Sequence, residues 1–201
     1  MFSFSHRRFV EYFAVQKILR EQDLVDLYKL DIPEDSRSRD MMVLYCEVAP
    51  FEKAKELANY CWKVIKLKNN LQDLESMHAL RFMIDAFRGR KECLIEFIAE
   101  FNIFIIEQIK PENQIFAVKN SVEALCLLPH EDLEKGTILT FDIKNSWINE
   151  IALRGCRHLN SISEKLEVLV LANFLPDFDR QIITLFNSYK NSVGLEKNEL
   201  L

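Results

Sequence analysis

Glycine and proline are scarce in this 201-residue chain, with four and five residues, which excludes collagen-like repeats and loop-rich sandwiches with a glycine at every turn. Disorder is excluded as well, because apolar residues make up 49% and charged residues only 28%. A basic excess is missing. The net charge of −5 and pI near 5.5 lack the footprint of a general nucleic-acid binder. The longest apolar runs, around Phe101 to Ile106 and Val168 to Leu175, fall well short of a membrane span. The basic N-terminus has neither an uninterrupted apolar core nor a small-residue cleavage site. Cys-x-x-Cys is absent too. The cysteines, at 46, 61, 93, 126 and 156, are odd in number and sit in apolar stretches such as Leu125-Cys126-Leu127-Leu128. They read as buried thiols of a reducing compartment, and the chain as a compact, helix-rich cytoplasmic protein with no membrane partner.

What is there is helical periodicity. Phe9, Val10, Phe13, Ala14 and Ile18 recur at three- and four-residue steps, predicting a helix over about Ser5 to Glu21 with Ser5 as N-cap. Ahead of it, Phe2-Ser3-Phe4-Ser5 alternates like the end of a strand. Asp31 to Ser36 reads as a loop, with Ser36 capping a helix that carries Met41, Met42, Leu44, Tyr45 and Val48. Further helices are expected over about Phe51–Lys68, Gln72–Phe87, Lys91–Ile109, Glu112–Leu128, Ser146–Arg157, Ser163–Leu175 and Phe178–Lys190. Gly136 to Ile143 is rich in β-branched residues and reads as a short strand or a loop over the helices. Residues 191–201 form a fraying polar tail. Similar apolar runs ending near Phe87, Leu128 and Leu175 lie about forty to forty-seven residues apart, the period of paired-helix solenoids. The fold class is therefore all-α, either an irregular helical bundle or a HEAT-like α-solenoid.

One stretch carries chemistry. Phe4-Ser5-His6-Arg7-Arg8-Phe9-Val10-Glu11-Tyr12-Phe13-Ala14 resembles the segment that closes the winged helix of NACHT-type signal-transducing (STAND) NTPases. In that family an aromatic, a histidine, a second aromatic, a glutamate, an aromatic pair and an alanine follow one another at these offsets. The chain departs from the pattern at Arg8, Val10 and Val15, where the family usually has a small hydroxyl residue, glutamine and alanine. The resemblance implies that residues 1–32 are the remnant of a winged-helix region, followed by a helical, solenoid-like domain over 33–190. It also implies that His6 contacts the β-phosphate of ADP when a nucleotide domain is present, holding the larger protein in its inactive state. The physics agrees: a histidine and two arginines at a helix start add positive charge where free N–H groups already favour anions.

The glycines, at 89, 136, 155 and 194, belong to no G-x-x-x-x-G-K-[ST] loop. The chain is thus expected to be no enzyme and to hold no cofactor of its own, ADP or ATP belonging to a full-length parent. It reads as a C-terminal part of such a protein, a regulatory or sensor segment in defence-type signalling. The alternative is a stand-alone helical-repeat scaffold that binds a protein or peptide. His130-Glu131 lacks a zincin's second histidine and reads as loop, and Cys156 and His158 point to different faces. Glu167, Asp177 and Asp179 have the spacing of a polar connector rather than of a cation site, and Arg88-Gly89-Arg90-Lys91 and Ser36-Arg37-Ser38-Arg39 read as solvated helix ends. One histidine at a helix end supplies only a fraction of a nucleotide site. The purified chain should therefore not hydrolyse ATP and should bind ADP no better than about millimolar; micromolar affinity by calorimetry would overturn this.

Overall fold

The computed structural model describes residues 7–21, 23–34, 38–159 and 161–172. Among them every regular element is a helix, so the chain is all-α. The helices are α1 (Arg7–Arg20), α2 (Asp23–Glu34), α3 (Arg39–Val48), α4 (Phe51–Lys68), α5 (Leu74–Phe87), α6 (Ile98–Gln108), α7 (Ile115–Ala124), α8 (His130–Phe141), α9 (Ser146–Gly155) and α10 (Glu164–Ala172). Single 3-10 turns at Lys91–Leu94, Leu125–Leu127 and Cys156–His158 lie between them. The expected strand end at Phe2–Ser5, the cap Ser36, the last helix and the tail fall outside the described residues.

The chain divides into two compact units, Met1–Phe101 and Asn102–Leu201. The boundary expected near residue 32 lies inside the first unit, at the end of α2. In that unit α2, α3 and α4 all pack on α5, and α1 packs chiefly on α3. α5 accordingly has a broad apolar face, burying Ala79, Leu80, Phe82, Met83, Ala86 and Phe87. Its start is fixed by Asp73, whose side chain accepts from the N–H groups of Glu75 and Ser76. The preceding helix, α4, ends at Asn69, which takes left-handed backbone (φ 47°) as asparagine tolerates at a helix end. Trp62 of α4 stacks on Phe97 at 5.7 Å and meets Phe101 edge-on at 5.4 Å, which attaches the start of α6 to α4. In the second unit α7 packs on α9, α8 on α9 and α10 on α8. Contacts between alternate helices, the pattern of stacked helix pairs, occur in both units, α1 with α3 and α3 with α5 in the first and α7 with α9 and α8 with α10 in the second.

Three local expectations are corrected. Asp31 to Glu34 is not loop: α2 runs through Pro33 in its last turn, although the ring removes the donor that would have served the Lys29 carbonyl. Burial of Ile32 and a 3.0 Å contact between His78 Nδ1 and the Pro33 carbonyl hold that turn on α5. The helix expected over Lys91–Ile109 is a 3-10 turn followed by α6 from Ile98. Gly136 to Phe141 is neither strand nor loop but the second half of α8. The β-branched residues are accommodated because Thr137 and Thr140 donate their hydroxyls to the carbonyls of Leu133 and Gly136, both at 2.8 Å, and so bury without an unmet donor.

Gly136 permits a close approach. A Cβ there would lie 2.4 Å from Leu125 Cδ2 and 3.0 Å from Ile106 Cδ1, and Leu125 is itself buried. Gly136→Ala should therefore lose about 1–3 kcal/mol to overpacking against a helix-propensity gain of about 1. Gly89→Ala meets nothing within 4 Å and should be near neutral. Urea unfolding of the two variants checks the pair, and a stabilised Gly136→Ala would show that Leu125 has room to move.

Candidate functional site

The expected site is the head of α1. His6 falls outside the described residues, and α1 begins at the next residue in sequence, Arg7. Its first turn contains no acidic residue, so nothing in it offsets the positive end of the helix, and Lys17 and Arg20 occupy its last turn. Of the apolar residues expected to pack α1, Ile18 is buried, at 1% exposed, together with Val15, also 1%, whereas Phe9 and Phe13 are 57% and 54% exposed, and Tyr12 and Val10 50%. Periodicity alone cannot choose here, because apolar residues occur on both sides of this helix and the hydrophobic pattern has no single direction. The neighbour α3 selects the Val15–Ile18 side. Tyr12 and Phe13 meet edge-on, with ring centroids 5.7 Å apart.

Two arginines of the basic junctions, Arg90 and Arg39, have structural partners, while Ser36 and Arg37 lie outside the described residues. Arg90 is not a solvated terminus: its Nη1 donates to the carbonyls of Cys46 and of Ala49, the latter at 3.0 Å, satisfying the C-terminal end of α3 from 41 residues away. Arg39 pairs with Asp85, linking α3 to α5. Neither partner could be read from local sequence, since both are brought in by tertiary packing.

A second polar set lies along α4. Lys55, Asn59, Trp62 and Lys66 follow one another at helical steps and meet two carboxylates: Lys55 Nζ and Asn59 Nδ2 reach Glu96 at 2.7 and 3.0 Å, while Trp62 Nε1 and Lys66 Nζ reach Glu100 at 3.3 and 2.7 Å. The bonds from Lys55 and Lys66 hold the two carboxyls below their usual range, and Lys55 is raised in turn by Glu96. The four-residue spacing of Glu96 and Glu100, matching that of the α4 stripe, is the signal that would have found it. Exposed pairs of this kind fix register more than they add stability.

The remaining candidates carry no reactive arrangement. His130 is the first residue of α8 rather than part of a loop, and its Nε2 lies 3.1 Å from the Ser161 carbonyl. His78 supports α2 as described. Cys156 and His158 share a 3-10 turn, Cys156 donating to the Ala152 carbonyl at 3.4 Å. Glu167 is exposed on α10, while Asp177 and Asp179 lie outside the described residues. All five cysteines are buried, as their apolar settings suggest. Burial pushes the thiol of Cys156 up to about 12 and those of Cys46 and Cys61 well above the ordinary thiol range, so these three keep their protons at neutral pH. Among the described residues no group of three or more His, Cys, Asp or Glu side chains is placed to hold a metal ion, and no helix is long and apolar enough to cross a membrane. In comparisons with known proteins, no family model, no curated protein and no solved structure matches the chain.

Two predictions follow from this geometry. Ile18→Ala should cost about 2–4 kcal/mol, as cavity-forming core changes do, while Phe9→Ser and Phe13→Ser should each stay within about 0.5 kcal/mol. Denaturant melts separate the two sides of α1, and equal losses would refute the assignment of its buried face. The thiols set an alkaline limit. An acid whose folded-state pKa is raised keeps its proton in the native state, so its stabilising contribution is whole below the unfolded-state value, near 9, and is lost as pH rises above it. Each strongly buried thiol should remove about 1.4 kcal/mol per pH unit above that point. Cys61→Ala and Cys156→Ala should flatten the fall in melting temperature between about pH 9 and 11; unchanged slopes would assign the loss to other groups.

Proposed function

We propose that this chain is a non-enzymatic regulatory and sensor segment of a NACHT-like NTPase in defence-type signalling, working in the cytoplasm. The observation that carries the reading is the ordered run from Phe4 to Ala14, in which histidine, arginine, two separated aromatics, glutamate and an aromatic pair keep the family's offsets at the head of a helix. Residues 1–32 are, in this reading, the end of a winged helix, and the helices beyond them the sensing or linking region. The partner is the nucleotide-binding domain of the same system, which supplies the phosphate cradle. His6, with the positive end of α1, contributes one contact to the ADP phosphates, and ADP or ATP binds only in that larger assembly.

A second reading is supported by the alternate-helix packing present in both units, α1 with α3 and α3 with α5, α7 with α9 and α8 with α10. Stacked pairs of this type serve as scaffolds, and the chain would then be a stand-alone helical-repeat module binding a protein or peptide. The two separate cheaply: the first requires a P-loop encoded upstream of Met1 or in a partner gene beside it.

Functionally, they separate at His6. A contact made only in the closed state contributes to closure by its differential binding, so His6→Ala in the full-length protein should exchange ADP faster and signal without stimulus. Phe13→Ala, which alters an exposed aromatic, should leave expression intact. ADP release measured with a fluorescent analogue, alongside basal signalling, checks this. Wild-type retention and silence in His6→Ala would leave the scaffold reading.

A further inference from the structure

We draw no further inference here: the strongest candidate, the exposed aromatic pair Phe116–Trp147 at the starts of α7 and α9, carries nothing because nothing in the structure shows what covers it.

Discussion

The burial of the broad apolar face of α5 is the constraint on which the first unit depends. Ala79, Leu80, Phe82, Met83, Ala86 and Phe87 form that face, against which α2, α3 and α4 all pack, while Leu74, Arg81 and Asp85 on the opposite side stay exposed. Phe82 and Phe87 meet edge-on at 6.1 Å within this centre. Once α5 is enclosed, the polar groups at the ends of its neighbours lose water and need partners. His78 on α5 answers the end of α2, and Arg90 just after α5 answers the end of α3. Both replacements come from the central helix or its exit, so the element that imposes the desolvation also relieves it.

Much of this was legible in the sequence. Pro50 and Asn69 bracket α4 at its observed ends, and the all-α class follows from periodicity with few helix breakers. The misread segments share a cause, in that propensity was outweighed by context. Pro33 sits in a helix because tertiary packing of Ile32 and His78 holds that turn, and Thr137 and Thr140 do so because their hydroxyls turn back on the chain. The buried side of α1 was illegible for another reason: Phe9 and Phe13 outrank Val15 and Ile18 in apolar bulk, and only the position of α3 decides between them. Arg90 is the same case in polar form, since its acceptors lie more than forty positions away. For the site, the motif is a property of residue order. The contribution of the fold is narrower, an α1 with no acid in its opening turn and a broad exposed aromatic surface beside it.

The buried thiols and the carboxylate stripe show how this chain distributes its polar chemistry. The cysteines are buried, and Glu96 and Glu100 are engaged by Lys55 and Lys66 of α4. Both ion pairs hold side chains of neighbouring segments in fixed register.

In each unit the principal packed pairs are no more than three elements apart along the chain. Low contact order of this kind places helical proteins among those that fold in microseconds to milliseconds. The helices that pack on α5 all precede Phe101, so enclosing α5 during synthesis needs no distant sequence. The window in which that strongly apolar helix stands uncovered, and open to association with other chains, is correspondingly short.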